Sequence, residues 1–139
     1  MEFLGTAINP VAILMSGIAA FLLGWVWYSA LFSAPWVEAQ RFTPEQKRDL
    51  GKNMPMVMGT SFVGYLVTAV ALAVLLGFSH TTEFSQALPI TLAAWLGFSV
   101  MPSLMHSMYT GRSLTGLAID MGYELVYMIV MAFILTWWK

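Results

Sequence analysis

The sequence contains no cysteine, which excludes a disulfide framework and any thiolate metal site. It is also poor in charge: Asp, Glu, Lys and Arg make up only 9% of the 139 residues, against roughly 25% in an ordinary soluble domain. With 59% hydrophobic residues, a water-soluble fold of this length lacks the polar surface to cover itself. The formal net charge is -1 and the basic residues Arg41, Lys47, Arg48 and Lys52 cluster in one segment, so no nucleic-acid partner is expected. Also absent are a Ser-His-Asp order, a Gly-rich phosphate loop and an H-E-x-x-H zinc motif.

What is present is long and apolar. Residues 3–37, 53–82 and 84–111 are free of Asp, Glu, Lys and Arg, and each exceeds the roughly 20 residues that a helix needs to cross the hydrocarbon layer. A fourth stretch, 113–138, is as apolar but carries Asp120 and Glu124, which cost about 2.5 to 3.5 kcal/mol each at a helix centre. Its Leu, Ile, Val, Met and Phe residues offset that cost. The expectation is an all-α, membrane-spanning four-helix bundle in one domain over 1–139, with helices at about 10–32, 55–78, 88–109 and 114–138. Pro10, Pro55 and Pro89 each suit a first turn, where a missing N–H costs nothing. Gly111 suits the end of the third helix, and Ser113 the cap of the fourth. The first span reads as a true span rather than a cleavable signal peptide, because its apolar run is too long and Glu2 stands where basic residues belong.

Five basic residues, Arg41, Lys47, Arg48, Lys52 and Arg112, fall on one side of these spans, against Lys139 on the other. That imbalance predicts a multi-pass protein of a bacterial inner membrane, with the 33–53 loop cytoplasmic and both termini outside. Within the loop, Thr43-Pro44-Glu45-Gln46 reads as a capping box opening a short amphipathic helix to about Leu50, closed by Gly51. Trp25, Trp27, Tyr28 and Trp36 read as an aromatic belt at one interface, with Trp137 and Trp138 at the other.

Small residues recur every fourth position as Ser16, Ala20 and Gly24 in the first span and as Thr60, Gly64 and Thr68 in the second. Such stripes let helix backbones approach closely when lipid offers no hydrophobic contrast. Four helices enclose few positions, so a homo-oligomer surrounded by membrane lipid is expected. The pairs Gly64-Tyr65 and Gly122-Tyr123 hint at duplicated halves.

The run Gly24-Trp25-Val26-Trp27-Tyr28-Ser29-Ala30-Leu31-Phe32 with Trp36, the Phe42-Thr43-Pro44-Glu45 loop, and Ile119-Asp120-Met121-Gly122-Tyr123 together resemble a bacterial membrane family, domain of unknown function 1761. That family commonly has Pro after the Trp-Tyr-Ser run, where this chain has Ala30. The resemblance covers most of the chain and implies four spans; it implies no activity and no established site.

The residues able to carry chemistry lie on the last two spans. Asp120 and Glu124 are four apart and share a helix face, about 10 Å and 16 Å below Ser113 at 1.5 Å per residue. A carboxylate at that depth needs a partner or water, and otherwise stays protonated. It therefore reads either as a proton or cation site or as a structural hydrogen-bonding acid, with the functional reading the default. Ser99, Ser103 and Ser107 form a matching stripe on the third span, broadened by His106 and Thr110. Pro102 predicts a kink that frees the Phe98 carbonyl. His106 falls at a depth similar to Asp120, so the two form a candidate pair; the alternative is an interfacial His bonded to Ser or a headgroup. Arg112 could pair with Asp120 or a lipid phosphate, but snorkelling and topology determination explain it adequately and are the favoured reading. Tyr28 and Trp25 are belt residues that can also close the site as donors. Met101, Met105 and Met108 beside His106 suit Cu(I), but Met is also ordinary filler. Without Cys or a second intramembrane His, no metal and no cofactor is assigned.

The leading expectation is a small ion, proton or solute transport or channel-type protein, with a polar path on the third and fourth spans lined by Asp120, Glu124, His106 and the serines. An accessory protein binding a partner comes second. An intramembrane enzyme comes third, because no nucleophile or cofactor motif accompanies the polar residues. No catalytic residue and no substrate is assigned.

Overall fold

A computed structural model describes residues 1–138. A two-residue-stranded hairpin, β1 (Glu2–Phe3) and β2 (Thr6–Ala7), leads into α1 (Pro10–Val26), which continues as a π-helical turn over Trp27–Leu31. Two short helices follow, α2 (Ser33–Gln40) and α3 (Pro44–Lys52), and then α4 (Met54–Phe78). The third span is composite: α5 (Phe84–Ala94), a π segment Trp95–Val100, and α6 (Met101–Thr110); α7 (Leu114–Trp137) completes the chain. Four stretches, Pro10–Leu31, Met54–Phe78, Phe84–Thr110 and Leu114–Trp137, are long and apolar enough to cross a bilayer. The protein is an all-α, multi-pass membrane protein.

Local chemistry sets most of the boundaries. The Asn9 side chain accepts the Val11 and Ala12 amides with Pro10 in the first turn, Thr43 and Gln46 form the reciprocal capping box, and Ser113 accepts the Gly116 amide. Gly111 ends the third span with a φ of 67°, a left-handed conformation that glycine adopts without steric cost.

Three expectations are corrected. The third span starts at Phe84, so Pro89 lies inside a helix rather than in its first turn. Gly51 does not stop α3, which runs to Lys52; the Asn53 amide still reaches Asp49 and the Val57 amide reaches Asn53, so α3 passes into α4 almost without a break. The connection also holds a second helix, α2, bounded by Phe32 and by Arg41 in the left-handed region. At Pro102 the helix adapts by widening: the π segment ends one residue before α6, and the Met101 amide bonds to the Leu96 carbonyl.

The spans lie in the lateral order second, first, fourth, third: α1 packs on both α4 and α7, while α7 also carries the third span through α5 and touches α4 on a narrower front. The second and third spans meet chiefly through α4 and α5, near the turn that joins them. The core runs through Ile13, Ala20, Leu72, Leu76, Tyr123, Tyr127, Met128, Met131 and Ala132. Ser16 and Ala20 are buried as the small-residue stripe requires, and at Gly24 a side chain would strike the Tyr123 hydroxyl. The second stripe differs: Thr60 and Gly64 are exposed and nothing lies within 4 Å of a Cβ at Gly64. Thr60 and Gly64 face out of the bundle, whereas Thr68 is half-buried.

Candidate functional site

The first span delivers Tyr28 in its π turn, α2 delivers Trp36, and α7 delivers Asp120. Tyr28 Oη donates to Asp120 Oδ1 at 2.6 Å, and Trp36 Nε1 donates to the same oxygen at 2.8 Å. Both donors are neutral, and no other donor reaches the carboxyl among the described residues. Two further indoles bracket this position: Trp27 Nε1 donates to the Ile119 carbonyl at 3.2 Å, and Trp95 Nε1 to the Met121 carbonyl at 3.0 Å. Each comes from the first residue of a π segment, on the first and third spans respectively. The widened turns thus hold α7 from both flanks at the level of Asp120, consistent with the frequent placement of π turns at functional positions.

One turn deeper, Glu124 accepts a hydrogen bond from Ser99 Oγ and is half-buried. Beside it runs a chain of tyrosine rings in edge contact. Tyr28 lies 5.2 Å from Tyr123, Tyr123 4.9 Å from Tyr127, and Tyr127 5.4 Å from Tyr65 on α4. Tyr123 Oη donates to the Ala20 carbonyl at 2.7 Å, which ties α7 to α1. Towards the chain termini the interior becomes apolar around Leu72, Leu76, Met128 and Met131.

A polar cleft of about 180 Å³ opens at the loop end, lined by residues including Gln40, Arg41, Ser107, Arg112 and Asp120. The amide of Arg112 bonds to the Ser107 carbonyl at 3.1 Å, which fixes the turn carrying its side chain. A larger cleft of about 540 Å³ at the opposite end lies among the hairpin, α1, α4 and α7, lined by residues including Ile8, Asn9, Leu76, Thr81 and Thr136.

A family model described as "Protein of unknown function (DUF1761)" matches residues 11–136. The chain belongs to this family. No curated protein and no solved structure matches it. The matched stretch of the DUF1761 chain contains all the residues gathered around Asp120 and Glu124, and leaves out the hairpin.

Of the residues singled out in the DUF1761 sequence, the fold brings Tyr28 to Asp120 and Ser99 to Glu124, and sets Arg112 and Ser107 in the cleft above Asp120. Ser103 is half-buried. His106 is exposed and makes no side-chain bond to Asp120 among the described residues, because α6 turns that face outward with Met101, Met105 and Met108. Trp25 is 67% exposed; its neighbours Trp27 and Trp36, which read as belt residues, are the indoles that turn inward. No sequence periodicity links Trp36 to Asp120, 84 positions away, so that donor was invisible before folding. The polar constellation is built on α7 by the first span and α2 as much as by the third span.

Proposed function

We propose that this protein moves a proton, cation or small solute across the membrane, with Asp120 and Glu124 as the groups that engage it. One observation carries the reading: the Asp120 carboxyl sits within a span, held by Tyr28 and Trp36 with no cationic partner among the described residues, at a cleft that opens to the loop end. An acid whose only task was to join helices would gain nothing from such an opening, whereas an intramembrane acid reached by solvent is the usual mark of an ion or proton path. Glu124, Ser99 and the tyrosine chain extend the polar line inwards. The apolar belt around Met131 separates this line from the opposite cleft, so passage requires a rearrangement of the spans rather than an open pore.

The proposal places the 33–53 segment in the cytoplasm of a bacterial cell and includes self-association, since the lateral order of the spans leaves the outer face of the third, with Leu96, Phe98 and Met105, uncovered. Glu124→Gln tests the path, because it keeps size and hydrogen bonding while removing the titrating group. In proteoliposomes under imposed proton, sodium and potassium gradients, flux is expected to fall at least tenfold with the melting temperature preserved. Parental flux no higher than in empty liposomes, or a Gln variant as active as the parent, would count against transport and in favour of an accessory protein in which Glu124 only holds helices together.

A further inference from the structure

The cleft above Asp120 contains both signs of charge in a small space. Asp120 lines it together with Arg41 and Arg112, and among the described residues neither guanidinium pairs with a carboxylate. Both hydrogen bonds to Asp120 arrive on Oδ1, so Oδ2 retains its accepting capacity. Arg41 is held in the left-handed region at φ 50° and ψ 46° as the cap of α2. A left-handed residue here ends α2 and fixes the point at which Arg41 leaves the helix. α2 itself is seated on α7 through Trp36 and through Gln40, whose Nε2 lies 3.2 Å from where a Cβ on Gly116 would stand. The missing side chain at Gly116 leaves room for Gln40 and Ala39 to pack closely against α7 at this wall of the cleft.

These features rest on the reading of Asp120 as a binding group, and they narrow what it binds. A cleft of about 180 Å³ is smaller than the roughly 300–1,000 Å³ pockets that hold drug-sized ligands, so its ligand is compact. A bare anion would meet Asp120, and a bare cation would meet two arginines. A molecule with both charges satisfies all three. Tetrahedral phosphate oxygens point in more directions than the two coplanar oxygens of a carboxylate, which suits a group placed between two guanidinium forks. We propose that this cleft binds a compact ammonium–phosphate zwitterion, its ammonium on Asp120 and its phosphate between Arg41 and Arg112. The same chemistry occurs in a free phosphoethanolamine and in the headgroup of an ethanolamine phospholipid.

Calorimetric titration of the full chain in phosphatidylcholine nanodiscs with phosphoethanolamine, ethanolamine and inorganic phosphate tests this directly. Phosphoethanolamine is expected to bind at least tenfold more tightly than either half. Arg41→Gln and Arg112→Gln, both at the exposed rim, are each expected to weaken it about tenfold with the melting temperature unchanged, and Asp120→Asn to do the same. Equal binding of ethanolamine or of phosphate alone, or Arg variants that bind like the parent, overturns the proposal. If free phosphoethanolamine does not bind, the lipid arm decides. Selective retention of phosphatidylethanolamine over phosphatidylglycerol in native mass spectra, lost in Arg112→Gln, supports the headgroup form, and its absence overturns the proposal. Binding without flux would sink the transport reading alone, and flux without binding would sink this one alone.

Discussion

A Cβ built on Gly24 would lie 2.7 Å from the Tyr123 hydroxyl oxygen, the same hydroxyl that donates to the Ala20 carbonyl at 2.7 Å. Gly24→Ala therefore displaces Tyr123, breaks that bond and disturbs the rings of Tyr28, Tyr65 and Tyr127 stacked against it. Overpacking of this kind costs about 1–3 kcal/mol, and a clear fall in the melting temperature of the detergent-solubilised protein is the expected outcome. Gly64 has open space at its Cβ, so Gly64→Leu is expected to leave the fold of one chain intact and to gain up to about 1 kcal/mol in helix propensity. Equal melting temperatures for Gly24→Ala and the parent would show that Tyr123 does not pack there. A drop in particle mass in Gly64→Leu would assign the outward face at Thr60 and Gly64 to contact between copies.

Among the elements, α3 is held at its start by its own cap and little else. Thr43 Oγ1 accepts the Gln46 amide at 3.2 Å and the Gln46 side chain accepts the Thr43 amide at 2.9 Å, while no residue of α3 is buried. Thr43→Ala is expected to cost about 1 kcal/mol locally, read as faster amide hydrogen exchange in α3 with α4 and α7 unaffected. Unchanged protection there would mean that continuity with α4, rather than the cap, maintains the helix. The π segments are elements of another kind. Each places one indole against α7, so their irregularity serves a tertiary contact that a regular helix at the same positions would aim elsewhere.

At the scale of the whole molecule, the question is which end faces which compartment. The fold puts Arg41, Lys47, Arg48, Lys52 and Arg112 at one end of the bundle, on α2, α3 and the turn after α6, which keeps the charge segregation of the sequence. Cysteines introduced singly at Lys47 and at Leu4, in a parent with no cysteine of its own, are expected to be shielded and accessible respectively to an impermeant maleimide in intact cells. The reverse labelling pattern would invert the orientation and place the Asp120 cleft outside the cell. The lateral order of the spans makes α7 the hub, so both carboxyls, all four hydrogen bonds from Tyr28, Trp27, Trp36 and Trp95, and the Asp120 side of the cleft depend on one helix.

The amino-acid sequence alone determined the four spans, their approximate limits, the capping box at Thr43 and the isolation of Asp120 and Glu124 in hydrocarbon. Those features follow from local chemistry: runs of apolar residues, charge counts and caps are written in neighbouring positions. The partners of the two acids were legible only in part. Ser99 and Tyr28 stood at suitable depths, but depth does not say which way a helix is turned. Only the tertiary structure decided that His106 and Trp25 face outward and that Trp27, Trp36 and Trp95 face in. Two π segments rotate the residues beyond them relative to a regular helix, and α2 folds back onto α7, which brings Trp36 to an oxygen 84 positions along the chain. Contacts of that range are settled by how helices rotate and pack, and periodicity along the chain carries no record of them.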